Sequence, residues 1–385
     1  MPTAPPGLTA RSPGGRVAAL DSVRGVAILC VVATHSLSTM VAATGSYELP
    51  REVFRAFDYG QFGVQLFFVL SGWLMFSLHT GDRGYTAAYF WSRRWARVWP
   101  LWLIFLVVSY LVFGVPDSGL PGWLGFVLGA LFFGWVSSAL AYTPTGGLTI
   151  QQEMGHYLLF SWFRRRGVAF LAGTVIVGYA SMLAARLVLA LAGEGTVLAG
   201  AMEAWLRLAL FNSWPFFLLG GAGCALLRAW RAGGIAALVP ERSWAAVLVV
   251  IALLLGTLST YAQETPGYFV LGFVVLMAAI AVTANAVPVA GPMLRSIGRY
   301  PYFMYFFHFW VLRGIERWYD GPTQTGAVYN LGLVLAIAVV ATAVSWAVGM
   351  VSWKVLERPI LEWAHRRWPA PVTGSGVAPR ATAGS

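Results

Sequence analysis

The chain has 385 residues, of which 58% are hydrophobic and 11% are charged, and its formal net charge is +11. This composition excludes an ordinary soluble domain and predicts a membrane protein that crosses the bilayer several times. The basic residues lie in short clusters between apolar segments rather than along one soluble face, which excludes a nucleic-acid-binding protein.

Apolar segments long enough to cross a bilayer occur about ten times along the chain. We place them at 19–43, 61–80, 98–115, 121–141, 168–192, 204–229, 243–262, 267–287, 298–317 and 327–356. The predicted fold class is therefore all-α, a polytopic membrane helical bundle of about ten transmembrane helices plus one re-entrant or interfacial helix. The membrane domain covers 19–359, between a disordered cytoplasmic N-terminus at 1–18 and a largely disordered cytoplasmic tail at 360–385.

The distribution of arginine predicts the topology. With the N-terminus in the cytoplasm, most basic clusters fall inside and most acidic residues fall outside. This asymmetry requires the polar segment 148–163 to enter and leave on one side, because a full crossing would invert Arg164–Arg166 and every later loop. We therefore expect 148–163 to be re-entrant or interfacial, and both termini of this multi-pass protein to lie on the cytoplasmic side of the cell membrane.

The first segment carries Arg24 and, eleven residues later, His35, with no charge between them. At about 100° per residue these side chains face the same way, separated by roughly 16 Å of helix rise. A cation and an imidazole on one face inside lipid are costly unless that face lines a polar cavity. An interfacial arginine with a structural histidine is the alternative, but the shared face favours a functional site. The cysteines, Cys30 and Cys224, fall in apolar segments and predict neither a disulfide nor a metal site.

The next two segments contain a serine-glycine pair and an arginine cluster. Ser71 and Gly72 interrupt an apolar run, which permits a kink or a close helix approach. The stretch WSRRWARVWP follows, and in it Arg94 and Arg97 share a helix face beside Arg93. Guanidinium groups suit phosphate, so this stretch is either a cytoplasmic anion site or a membrane anchor of the positive-inside kind.

Glu153 is the acidic residue that we place at membrane depth, within 148–163. A carboxylate there is expected to pair with a cation or a histidine. With Gln151 and Gln152 beside it, the stretch fits either a wet pocket or the polar face of an interfacial helix. His308 lies in the aromatic segment YPYFMYFFHFWV, where a single histidine is more often structural.

In this order the motifs resemble those of the acyltransferase-3 family of bacterial integral-membrane acyltransferases, over about 20–359. LDSVRG followed by His35 is similar to the family's first-helix motif, FFVLSGWLM to its serine-glycine motif, and RRWARVWP to its paired-arginine loop. IGRYPYFMYFFH and WKVLERP resemble its late segment and closing helix. Two positions depart from the family pattern: Leu148 replaces the usual tryptophan before Glu153, and Pro301 stands where serine is common.

The resemblance implies an enzyme that moves an acyl group, expected to be acetyl, from acyl-CoA to a hydroxyl of a sugar, glycan or secondary metabolite. Acyl-CoA is then a co-substrate, no cofactor is bound, and the other partners are the bilayer and the hydroxylated acceptor. No triad or activated cysteine suggests an acyl-enzyme, so we expect direct transfer with His35 as general base. The site residues implied are His35, Arg24 and Glu153 for catalysis, and Arg93, Arg94, Arg97, Ser71 and Gly72 for the donor.

A membrane carrier or flippase for a polar or anionic substrate is the alternative, because about ten spans with buried arginine, histidine and glutamate also fit a transport pathway. The arginine cluster favours the enzyme, since a carrier needs no cytoplasmic phosphate site. A sensor or scaffold without activity is a third possibility, and Arg24 and His35 argue against it.

Overall fold

The computed structural model describes residues 18–79, 86–114, 121–135, 143–163, 292–323 and 325–369, together with individual positions between 173 and 224. The segments predicted at 243–262 and 267–287, Arg164–Arg166, and residues 1–17 and 370–385 of the predicted disordered termini lie outside the described residues. Residues 360–367 of the predicted tail are helical. The segments predicted at 168–192 and 204–229 are described only at individual positions.

Helices form the regular structure of the described residues, and no strand occurs among them, which confirms the all-α prediction for this part of the chain. The first group is α1 (Ala18–Thr44), α2 (Arg51–Asp58), α3 (Phe62–His79), α4 (Ala87–Phe113), α5 (Gly122–Ala130) and α6 (Gly147–Phe163). The second group is α7 (Pro292–Ile297), α8 (Pro301–Trp318), α9 (Ala327–Ser352) and α10 (Arg358–Arg367).

Four stretches of the described chain are long and apolar enough to cross a membrane: Leu20–Thr44, Arg51–Ser77, Ala87–Phe113 and Ala327–Arg367. They make this a multi-pass membrane protein. The count of about ten spans stays a prediction, and so does the re-entrant or interfacial placement of α6.

The segment at 121–141 differs from its prediction as a continuous span. α5 ends at Ala130, and nine residues of helix cover only about 14 Å of a hydrocarbon core about 30 Å thick. The chain turns at Phe132, whose φ is +62°. Two indole N–H groups of α4 satisfy carbonyls at the end of α5: Trp102 donates to Gly129 at 2.9 Å and Trp99 donates to Ala130 at 3.2 Å. These hydrogen bonds stabilise the early helix end.

α1 lies at the centre of the described bundle, in contact with α3, α7, α8 and α9. In lipid, helix association depends on close packing, because the surrounding tails are as apolar as the side chains. Glycine permits that packing here: a Cβ on Gly63 would lie 2.3 Å from the Ala27 carbonyl oxygen, and one on Gly298 would lie 1.7 Å from that of Asp21. The face of α1 that carries Arg24 and His35 is thereby held against the neighbouring helices.

α4 places the arginine cluster on a helix rather than in the loop that the sequence predicts. The Thr86 hydroxyl caps its first turn by accepting from the Tyr89 N–H at 3.2 Å. The helix then runs without interruption through Pro100 to Phe113, although proline removes one backbone donor. The arginines and the membrane-crossing half of α4 therefore belong to one rigid element.

Polar contacts join distant parts of the chain at each end of the bundle. At one end the Arg93 guanidinium donates to the Trp368 carbonyl at 3.1 Å. At the other end the Asn330 amide donates to the Ser46 hydroxyl at 3.0 Å and to the Glu48 carbonyl at 2.9 Å. The α1–α2 connection and the start of α9 are thus at the same end.

Candidate functional site

A cavity of about 240 Å³ lies between α1, α3, α4, α6 and α8, and we call it the arginine cavity. Its polar lining consists of Arg24, Arg94, Arg97, Ser71, Glu153, Thr149, Tyr157, Tyr302 and Tyr305. Three of these side chains are guanidinium groups and one is a carboxylate. The cavity therefore concentrates positive charge inside an apolar bundle, which is costly unless the charge serves a ligand.

Glu153 is the centre of the hydrogen bonds in this cavity. The Ser71 hydroxyl donates to its Oε1 at 2.5 Å, the Tyr302 hydroxyl does so at 3.1 Å, and the Tyr157 hydroxyl donates as well. The side chain is buried, and its partners come from α3, α6 and α8. A carboxylate that accepts hydrogen bonds from three elements fixes their relative positions.

The two tyrosines that donate to Glu153 also present their rings to the arginines of α4. The Arg94 guanidinium lies 5.1 Å from the Tyr157 ring centroid, and that of Arg97 lies 5.3 Å from the Tyr302 ring. Such cation–π contacts hold a guanidinium in place without using its N–H groups. The Nε of Arg94 is buried without a hydrogen-bond partner in the described part of the chain.

Arg24 reaches the same cavity from α1. Its guanidinium forms an ion pair with Asp21, one turn earlier, with 2.5 Å between Nη1 and Oδ1. An i, i+3 pair on one helix holds the arginine side chain in a fixed direction. Arg24 thus adds a third cation opposite those of α4.

A second cavity, of about 320 Å³, contains His35 further along α1, and we call it the histidine cavity. The other polar residues of its lining are Thr34, Gln61, Thr145, Thr149 and Tyr305. Of these, Thr149 and Tyr305 line both cavities. The two cavities are therefore neighbours, and this side-chain pair is the partition between them.

Behind His35 lies His308, which is completely buried. The two imidazole centroids are 5.5 Å apart, and Phe309 contacts both rings at centroid distances of 4.5 Å and 4.1 Å. His308 is absent from the linings of both cavities. It packs against His35 and does not face either cavity.

The structure brings together Arg24, Arg94, Arg97, Ser71 and Glu153 and places His35 in the adjoining cavity. Two predicted members lie elsewhere. The Arg93 guanidinium stacks 4.9 Å from the Tyr89 ring centroid and binds Trp368, outside the lining. Gly72 is a packing position, because a Cβ there would lie 1.8 Å from the Phe217 carbonyl oxygen.

Gln151 lines neither cavity, so it does not form the wet pocket that was one of the two alternatives for this stretch. Its side-chain oxygen accepts from the Gly134 N–H, and its amide donates to the Thr143 hydroxyl at 2.7 Å. It therefore fixes the turn after α5 against α6. Of the two departures from the motif pattern, Pro301 lines the arginine cavity. No group of metal-ligating side chains occurs among the described residues.

Sequence reasoning missed Tyr157, Tyr302 and Tyr305 as lining residues and His308 as a neighbour of His35. The signal was present in their spacing. Tyr157 follows Glu153 by four residues and so shares its helix face. Tyr302, Tyr305 and His308 recur every three residues along α8, which turns them toward neighbouring sides of the helix.

A family model described as "Acyltransferase domain" matches residues 17–350, from the start of α1 almost to the end of α9. No curated protein and no solved structure is significantly similar to the chain. The match includes both cavities.

Proposed function

The chain belongs to the acyltransferase-3 family and is a membrane acyltransferase, and from that premise we propose that it transfers an acyl group from acyl-CoA to a hydroxyl acceptor. The observation that carries this proposal is the adjacency of the two cavities. One offers guanidinium N–H groups suited to phosphate, and the other offers an imidazole suited to proton transfer. The acceptor class we propose is a sugar, glycan or hydroxylated metabolite, and the acyl group is acetyl.

In the proposed reaction the donor lies with its phosphates at Arg94 and Arg97 and its thioester near the partition. His35 takes the proton of the acceptor hydroxyl while the oxygen bonds to the thioester carbonyl carbon. The carbon–sulfur bond then breaks, and the proton passes from His35 to the departing coenzyme A thiolate. Glu153 holds Ser71, Tyr157 and Tyr302 and so positions the arginines. It takes no proton in this scheme.

The proposed orientation has both termini in the cytoplasm and about ten spans. Two contacts support it. Arg93 meets Trp368, which brings the predicted inner end of α4 next to the C-terminal helix. Asn330 meets Ser46, which brings two predicted outer connections together. The arginine cavity then faces the compartment that contains acyl-CoA.

Cysteine labelling tests this orientation in a Cys30→Ala, Cys224→Ala background. Tyr47 and Trp363 are exposed at opposite ends of the bundle, with 70% and 54% of their surface accessible. We expect an impermeant thiol reagent on intact cells to label Tyr47→Cys but to label Trp363→Cys only after permeabilisation. The reverse pattern would show that the cavity opens outward.

The activity itself is tested with purified protein in liposomes, acetyl-CoA labelled in the acetyl group, and an envelope glycan fraction as acceptor. We expect label in the glycan and free coenzyme A in equal amounts, and both to form roughly a hundredfold more slowly or slower still with His35→Gln. A carrier gives a different result, because label crosses the membrane while the thioester stays intact. That outcome would replace the proposed enzyme by the transport alternative.

A further inference from the structure

We infer that His308 is a positioning residue for His35, a role that rests on the proposed function because it concerns the proposed base. The starting point is the hydrogen bond at the His308 Nδ1, which lies 2.9 Å from the carbonyl oxygen of Met304, one turn earlier on α8. A carbonyl oxygen only accepts, so Nδ1 carries the proton. The Nε2 of the neutral ring is therefore an acceptor.

That acceptor has no partner within the described part of the chain, although the atom is fully buried. An orphaned polar atom in an interior is costly and calls for an explanation. The nearest imidazole is that of His35, with 5.5 Å between the ring centroids. The structure does not contain a hydrogen bond between these rings, so the bond that we infer between an N–H of His35 and the His308 Nε2 requires one ring to move.

The surroundings of His308 offer no other ionic partner. Among the described residues, the titratable groups that contact its ring are His35 on α1 and Tyr305 on its own helix, the latter at a centroid distance of 5.9 Å. The remaining close neighbour is Phe309. His35 is thus the group from which the His308 Nε2 can accept a hydrogen bond.

The consequence for the reaction concerns the tautomer of His35. If one His35 nitrogen donates to His308, the other presents its lone pair to the histidine cavity, where the acceptor hydroxyl has to lose its proton. When His35 has taken that proton, the His308 acceptor stabilises the imidazolium. No bond to His308 forms or breaks, so it acts only through His35.

The test uses the two amides that mimic the two nitrogens of histidine. His308→Asn keeps a donor near the Nδ1 position for the Met304 carbonyl and loses the acceptor at the Nε2 position. His308→Gln places an amide group at the Nε2 position. We expect His308→Asn to lower kcat roughly tenfold to a hundredfold, the size of effect that misplacement of a catalytic group causes, at an unchanged KM for acetyl-CoA. His308→Gln should recover most of that loss.

A double variant separates positioning from packing. Because His308 acts through His35, His35→Gln with His308→Asn should be no slower than His35→Gln alone. His365→Asn is the matched control, since the His365 Nδ1 lies 2.6 Å from the carbonyl four residues earlier on an exposed helix. It should leave kcat and KM at wild-type values.

Three outcomes would overturn the inference: wild-type kcat in His308→Asn, independent losses that multiply in the double variant, or loss of acetyl-CoA binding in both His308 variants, which would make the residue structural. Poor accumulation of both variants, with a lowered melting temperature, counts as the third outcome. A wild-type protein that moves no acetyl group is a distinct result, because the proposed function then fails and this role falls with it.

Discussion

The two cavities differ in what they contain, although they share a wall. The arginine cavity holds three guanidinium groups, a carboxylate and several hydroxyls, whereas the histidine cavity is lined by His35 and by uncharged side chains. In the proposed reaction, donor binding and proton transfer are therefore separated along α1. One membrane helix then supplies a residue for each, with a cation near one end and an imidazole three turns away.

This separation predicts that variants on one side of the partition change donor affinity and variants on the other change turnover. The largest effect is expected for His35→Gln, which keeps polar character and approximate size but removes the base. It should lower kcat on the order of 10²–10⁴ while acetyl-CoA binding persists. Turnover and binding are measured on the same purified sample. Near-normal kcat would exclude His35 as the base, and loss of both quantities would make it structural.

The next effect is expected for the arginines of α4. Arg94→Ala or Arg97→Ala removes charge-assisted hydrogen bonds worth about 1.5–3 kcal/mol each, which raises the apparent KM for acetyl-CoA roughly tenfold to a hundredfold. Lysine should restore only part of the affinity, because it cannot bind in a bidentate manner.

Arg93 provides an internal comparison on the same helix. Its guanidinium binds the Trp368 carbonyl, so Arg93→Ala should change the donor KM far less than either neighbour does. The exposed Arg366→Ala serves as a control for general charge loss. Equal KM values in wild type, Arg94→Ala and Arg97→Ala would mean that the arginine cluster is only a membrane anchor.

A stability effect is expected at Glu153. Glu153→Leu removes the acceptor of three hydroxyl donors, and each buried donor left unpaired costs about 1–3 kcal/mol. Glu153→Gln keeps an acceptor oxygen at the same place and should lower the stability much less. The melting temperature in detergent, followed by intrinsic fluorescence, distinguishes the two variants. Equal melting temperatures for Glu153→Leu and wild type would contradict the central position of this carboxylate.

The smallest effect is expected at the partition. Tyr305→Phe and Thr149→Val each remove one hydroxyl group from the partition and so make the passage between the cavities easier to widen. We expect the rate of acetyl transfer to change by roughly fivefold at most. The rate with butyryl-CoA should increase relative to the rate with acetyl-CoA.

Thr145→Val is the matched control for the partition, because Thr145 lines only the histidine cavity. Its acyl-length preference should equal that of wild type. An unchanged preference in Tyr305→Phe and Thr149→Val would mean that the acyl group does not pass between these two residues.

Sequence alone predicted the elements whose signal is local. α1 was expected at 19–43 and spans Ala18–Thr44, because an uninterrupted apolar run favours a continuous helix. The common direction of Arg24 and His35 follows from helix geometry alone. The shared face of Arg94 and Arg97 likewise needed only their spacing.

The other features of the fold and of the candidate site depend on contacts between residues distant in sequence. The third apolar segment was expected to begin at 98, but α4 already begins at Ala87 and continues through Pro100. α5 ends where indoles of α4 bind its carbonyls, and nothing in its own residues predicts this. The spacing of Tyr157, Tyr302 and His308 gives their faces on their own helices, but the contacts that Tyr302 makes with Glu153 and His308 makes with His35 join helices far apart in sequence.

The central place of α1 has a consequence for how the protein is made. α1 ends at Thr44, yet α7, α8 and α9, against which it packs, begin at Pro292. At synthesis rates of about 5–20 residues per second, this interval of about 250 residues takes roughly 12–50 s. During that time the newly inserted α1 holds Arg24 and His35 in the bilayer without these partners. The stability of the inserted α1 during this interval therefore depends on nearby residues such as Asp21, which already neutralises Arg24 within the same helix.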